Sequence, residues 1–113
     1  KKWLHCTSLN TLAANLKLSS NGEVLRHREE LEKIFLEAYE LGETLWEDWH
    51  EKHDILFQEL IDLILRTSGN ENSMARDVRQ GDPTESDFLA GLSEQFPGFP
   101  LLKSMHRRIK GLP

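Results

Sequence analysis

Between Glu23 and Arg66 apolar residues recur at steps of three and four: Leu31, Ile34, Phe35, Ala38, Leu41, Leu45, Trp46, Trp49, Leu56, Leu60, Ile61 and Ile64. That period keeps one face of an α-helix apolar. The remaining positions are charged with one prevailing sign, because 13 of the chain's 19 carboxylates fall in these 44 residues against five basic side chains. The pattern predicts an acidic amphipathic rod. As one straight helix, rising about 1.5 Å per residue, it would run about 65 Å, whereas a compact domain of this size, with a radius of gyration of about 13 Å, is only about 35 Å across. The rod must therefore break, or project and cover its stripe with another chain. Gly42 is the stretch's single glycine and can end a helix in the left-handed conformation, while Thr44 and Glu47 have capping-box spacing. A break at Gly42 is the expectation, giving one helix from Glu23 to Leu41 and another from Leu45 to about Arg66. The alternative is a continuous helix in a dimer.

On either side the pattern shortens. Ser8 is placed to cap a helix running to about Leu18, with Leu9, Leu12, Ala13 and Leu16 as its buried face. Residues 19–22 read as a turn and residues 67–73 as a mobile polar loop, while Met74 to Gln80 offers a turn or two of helix with little to pack. Asp82-Pro-Thr-Glu85 combines a cap residue, proline at the first helical position and an early carboxylate, predicting a helix to about Phe96 that buries Phe88, Leu89, Leu92 and Phe96. Residues 97–100 form a rigid corner, and a last helix, Leu101 to Lys110, closes at Gly111. The predicted class is all-α: a bundle of about five helices built around a long acidic hairpin or kinked helix, with residues 1–113 as one domain. Because the chain opens on Lys1 rather than methionine, it reads as a fragment or a processed product.

Composition narrows the class of function. A hydrophobic share of 38% with 29% charged residues is that of a folded globule, and a net charge of −5 argues against a phosphate-binding surface. The lone Cys6 cannot form an internal disulfide, and no apolar run approaches the roughly 20 residues needed to span a bilayer. These features suggest an intracellular protein, cytoplasmic or nuclear, with no membrane contact.

Candidate chemistry is sparse. Glu47 and His50 have the Glu-x-x-His spacing of carboxylate-bridged metal bundles, but the chain has no second copy, so a solvated helix face competes with a metal site. Cys6 has only His5 beside it, and there is no glycine-rich phosphate loop, no Ser/His/Asp arrangement in the sequence and no cysteine–histidine metal spacing. Nothing positive supports catalysis or a cofactor. Residues 11–25 have the rhythm of a helix-turn-helix, although Glu29, Glu30 and Glu32 would face phosphates with the wrong sign. Trp3, Trp46 and Trp49 read as core or as interface anchors. Finally, Leu92-Ser-Glu-Gln-Phe-Pro-Gly-Phe-Pro-Leu-Leu102 resembles the corner joining the last two helices of paired amphipathic helix domains, over about a tenth of the chain. That resemblance implies a groove receiving a partner's amphipathic helix. The expected function is a helical protein-interaction module, adaptor or regulatory, meeting a protein partner or a second copy through Phe35, Trp46, Trp49, Leu56, Phe99, Leu102, Arg107 and Arg108. A nucleic-acid-binding regulator and a metal bundle are the alternatives.

Overall fold

A computed structural model describes residues 1–46 and 51–112. Its α-helices are α1 (Lys2–Leu16), α2 (Arg28–Leu45), α3 (His53–Arg66), α4 (Ser73–Gln80) and α5 (Pro100–Lys110), joined in part by 3₁₀ turns at Asn21–His27, Ser86–Phe88 and Ala90–Gln95. Among the described residues there is no strand beyond one isolated bridge, Ser20 to Glu71. The all-α class read from the sequence is the one observed. With a radius of gyration of 13.0 Å and extents of 36 × 33 × 20 Å, the molecule has no room for a straight 44-residue rod.

The acidic stretch doubles back, but not at Gly42. Helix α2 runs through Gly42, which is buried, and ends only at Leu45, with the Trp46 amide bonded to the Gly42 carbonyl at 2.9 Å. Leu41 and Leu45 carry the apolar stripe past the glycine into the core, and this outweighs the roughly 1 kcal/mol propensity cost of glycine in a helix. Helix α3 then returns antiparallel to α2, with Tyr39 edge-on to His53 and Phe35 against Phe57 at 5.1 Å between ring centroids. Glu47, Asp48, Trp49 and His50 lie outside the described residues, and with them the Glu-x-x-His spacing.

The helix that organises the core is α1, which starts at Lys2, well before Ser8. Leu4, Leu9, Leu12, Ala13 and Ala14 are buried together with Thr7, Ser8 and Thr11, so burial runs around nearly the whole circumference. A helix covered on all sides must lie in the middle of its domain, and α1 packs against α2, α4 and α5. Ser8 therefore sits mid-helix, donating its hydroxyl to the Leu4 carbonyl at 2.8 Å rather than capping an end. The supposed buried face ends early, because Leu16 is exposed.

Three further expectations change. The stretch 67–73 is tied down: the Asn21 and Gly22 amides donate to the Asn70 and Ser68 carbonyls, each at 3.0 Å, and Asn72 donates back to the Ser19 carbonyl. Only glycine fits at position 22, where a Cβ would lie 2.9 Å from the Ser68 Cβ. Met74 and Ala75 are buried, so α4 is a packed two-turn helix capped by the Asn72 side chain and ended by Gly81 at φ 73°. Instead of an α-helix after Pro83, the chain makes two short 3₁₀ turns, and Phe88 is 74% exposed. Ser86, Leu89, Ala90 and Ser93 are buried there and Leu92 and Phe96 pack half-buried on the core, but the backbone leaves the helical region at Leu89 (φ −115°, ψ −107°), which splits the segment into two turns. The last helix forms as predicted, with Pro100 in its first turn and Gly111 left-handed after it at φ 71°.

Candidate functional site

Burial around α1 is interrupted by one strip. Lys2, Cys6 and Asn10 stand at steps of four, which places them on a single face, and they are exposed, half-buried and half-buried in turn. A central helix that could have been apolar on this side keeps a cation, a thiol and a carboxamide. The opposing wall comes from α4 and the turn after it. Cys6 packs beside Met74, Val78 and Leu89, and the Trp3 indole donates to the Phe88 carbonyl at 3.0 Å, drawing the segment that carries Glu85 over the start of α1.

The charges of the two walls converge on Cys6. Burial pushes its thiol up, the Lys2 ammonium pulls it down, and the Glu85 carboxylate pushes it up again. A cation and a carboxylate from opposite walls thus both act on one thiol, with burial the largest influence and the net shift upward. Lys1 points elsewhere, its Nζ 3.1 Å from Glu51 and 3.2 Å from Glu59. Lys2 makes no ion pair among the described residues. At the far end of the strip, Asn10 accepts a hydrogen bond from the buried Asn72 side chain at 2.9 Å.

A second polar cluster lies under α5. Ser86 Oγ and His106 Nδ1 are 2.7 Å apart, and Asp87 stands 3.5 Å from His106 Nε2. These residue types suggest a nucleophile and its base, an arrangement invisible in the linear order. Ser86 is only 1% exposed, however, and Gly91 is pressed so closely on the imidazole that a Cβ would come within 2.7 Å of Cε1. No substrate reaches that hydroxyl, and the cluster serves to hold α5 down. No group of three or more His, Cys, Asp or Glu side chains is disposed to hold a metal ion among the described residues. None of the helices among them is long and apolar enough to cross a membrane.

The residues chosen from sequence as partner contacts do not form one surface. Phe35, Leu56, Phe99 and Leu102 are buried in the core. Trp46 is 50% exposed and stacks edge-on to Trp3 at 5.0 Å; Trp49 lies outside the described residues. Arg107 is paired with Glu94 at 2.8 Å, and Arg108 is exposed. Lys2, Asn10, Asn72 and Glu85 went unread. The signal that points to Lys2 and Asn10 is the four-residue step of polar side chains in a helix otherwise buried, and a helix beginning at Ser8 leaves Lys2 out of it.

A family model described as ketopantoate reductase PanE/ApbA C terminal matches residues 1–92. No curated protein and no solved structure matches the chain. The match overturns the reading of the chain as an adaptor or regulatory interaction module, because the family is a domain of a reductase and the matched stretch includes the strip, Asn72 and Glu85. It also displaces the helix-turn-helix: the element after α1 is a 3₁₀ turn with Val24 buried, bonded to residues 68–70, and not a free recognition helix. The Glu47 and His50 pair behind the metal reading lies outside the described residues, and the corner at residues 96–102 packs Phe99 and Leu102 into the core, not into a receiving groove. With four-fifths of its length matched, the chain belongs to the family of ketopantoate reductase C-terminal domains.

Proposed function

We propose that this chain is the keto-acid-facing helical domain of a reductase of the ketopantoate type. The observation that carries the reading is the family match over residues 1–92, and the polar strip of α1 opposite Glu85 supports it. Reducing a 2-oxo acid adds a hydride to the carbonyl carbon and a proton to its oxygen, while a carboxylate stays attached throughout. A site for it needs a proton donor where charge develops on that oxygen, and hydrogen-bond donors for the carboxylate. Lys2 supplies the first: its ammonium meets the carbonyl oxygen, gives up a proton as the alkoxide forms, and is reprotonated from solvent. Asn10, two turns along the same face, offers amide N–H groups to the carboxylate. The hydride comes from a donor. Among the described residues there is no strand and no glycine-rich strand-to-helix turn of the kind that cradles a dinucleotide pyrophosphate, so no part of the donor's site is assigned to them.

The test is Lys2→Ala in the protein expressed from its complete gene, assayed for reduction of ketopantoate. Removal of a positioned proton donor is expected to lower kcat/KM by about 10²- to 10⁴-fold. The melting temperature should barely move, since Lys2 is exposed. Unchanged turnover in the variant, or no reduction of ketopantoate by the unaltered protein, would overturn the reading.

A further inference from the structure

Asn72 is 2% exposed, and its side chain bonds to two others and to one backbone amide. Its Oδ1 accepts from the Ala75 backbone amide at 3.0 Å. A backbone N–H can only donate, so Oδ1 is fixed at that end and Nδ2 must turn to the other side. There its two N–H bonds go to Asn10 Oδ1 at 2.9 Å and Asn21 Oδ1 at 3.0 Å. The far end is pinned independently. Thr67 Oγ1 spends its one proton on the Leu63 carbonyl at 2.9 Å, so it can only accept from Asn21 Nδ2, which lies 3.1 Å away. Both ends of the relay are therefore anchored to backbone groups of known polarity, and each amide between them has one permitted orientation.

The consequence falls on Asn10. With its oxygen held by Asn72, its Nδ2 has no hydrogen-bond partner among the described residues, and it is not one of the buried atoms left without a partner, so it is open to solvent. It stands on the half-buried face shared with Lys2 and Cys6. We infer that Asn72 is a positioning residue: it holds the Asn10 carboxamide with its N–H groups outward, so that the polar strip of α1 presents donors and no acceptor oxygen to an anionic substrate at this end. A carboxamide free to rotate would show its oxygen part of the time and repel a carboxylate. The inference rests on the keto-acid reading above and adds to it a device for selecting 2-oxo acids over neutral ketones.

Asn72→Asp reverses the Asn10 end of the relay, while at the other end Asn21 can turn its Nδ2 to the carboxylate only by giving up Thr67. A carboxylate at this helix N-cap still accepts from the Ala75 amide, and Asp caps as well as Asn. Having no N–H of its own, it obliges Asn10 to turn its Nδ2 inward and its oxygen outward. Asn72→Ser is the conservative control, because a hydroxyl can accept from Ala75 and donate to Asn10 Oδ1. In the complete protein, Asn72→Asp is expected to raise KM for ketopantoate about tenfold or more, the loss of a hydrogen bond to a charged group, with kcat within about threefold. Asn72→Ser should stay near the unaltered values. In ¹⁵N-labelled protein without substrate, the Asn10 side-chain amide resonances should move in the Asp variant and not in the Ser variant. If the Asp variant does not fold, Asn72→Ala serves instead, with a smaller KM rise that Ser reverses. A raised KM with the Asn10 resonances unmoved means that the new charge merely repels substrate, and overturns the inference. So does an unchanged KM in a protein that Lys2→Ala disables, which leaves the keto-acid reading standing. No activity toward ketopantoate in the unaltered protein removes both.

Discussion

At the scale of single residues, several polar side chains are buried in this core with hydrogen-bond partners, and His106 shows the cost. Its ring is enclosed by Ser86 and Gly91. Burial pushes its pKa below the ordinary histidine value; Asp87 and Glu94 pull it up, Lys110 and Arg107 push it further down. His5, bonded to the Leu56 carbonyl at 3.1 Å, is shifted the same way, again chiefly by burial. When the folded-state pKa is depressed, the unfolded chain takes up a proton first. Stability from these two groups is therefore independent of pH above about 6.5, and it declines as pH falls from there toward the folded-state value. Melting temperatures recorded from pH 8 to pH 5 should be flat and then drop, and His106→Gln should make the drop shallower without abolishing it, because His5 remains. An equally steep drop in the variant would show that His106 does not titrate as described.

At the scale of elements, the clearest device is a cap supplied across the fold. The first two free amides of α5, at Leu101 and Leu102, donate to the Glu37 carboxylate of α2 at 3.2 and 2.7 Å. Pro100 and Gly111 mark where α5 can begin and end, and Glu37 fastens the beginning to α2. An anion at a helix N-terminus also meets the positive end of the helix dipole. Glu37→Ala leaves two part-buried N–H groups without their acceptor and should destabilise the domain by about 1–3 kcal/mol in urea titration. Glu37→Gln, which keeps an oxygen but loses the charge, should cost about 1 kcal/mol. Amide hydrogen exchange at Leu101 and Leu102 should quicken in the Ala variant more than exchange at the centre of α1. Exchange that quickens equally everywhere would mean that Glu37 acts on the whole core rather than on α5.

At the scale of the molecule, the family match stops at residue 92 but the core does not. Phe99, Leu102 and Met105 of the last segment are buried in the same cluster as Leu4, Leu12, Leu31 and Phe35. Burying such side chains contributes about 1.5–3 kcal/mol each, so their joint removal approaches the 5–15 kcal/mol that holds a whole domain folded. A chain cut after residue 92 should therefore lose its cooperative melting transition by circular dichroism. A sharp transition in the truncated chain would show that the matched region is self-sufficient and α5 an accessory. The same dependence explains why the partner contacts read from sequence dispersed: an apolar stripe fits a core and an interface equally well, and only packing distinguishes the two.

Some of this protein was settled by its sequence. The all-helical class follows from a 3.6-residue period and from end signals such as Pro100 and Gly111, which act through neighbours within about one turn and so are legible along the chain. Its length requires the acidic stretch either to turn back or to be covered by a second chain, and the packing of α3 on α2 decides for turning back. Where it turns was not legible along the chain, because burial of Leu41 and Leu45 overrode the local stop at Gly42. The same holds for the helix expected after Pro83, whose start signals were present but whose backbone breaks at Leu89, a side chain buried with Ala14 of α1 and Met74 of α4. The step of four that lines up Lys2, Cys6 and Asn10 is written in the sequence, but what faces them belongs to tertiary structure. Lys2 and Glu85 are 83 positions apart, and the orientation of Asn10 is set by Asn72, Asn21 and Thr67 from two separate segments. Their meeting depends on α1 lying at the centre of the domain, and a helix becomes central only when its neighbours cover it on every side.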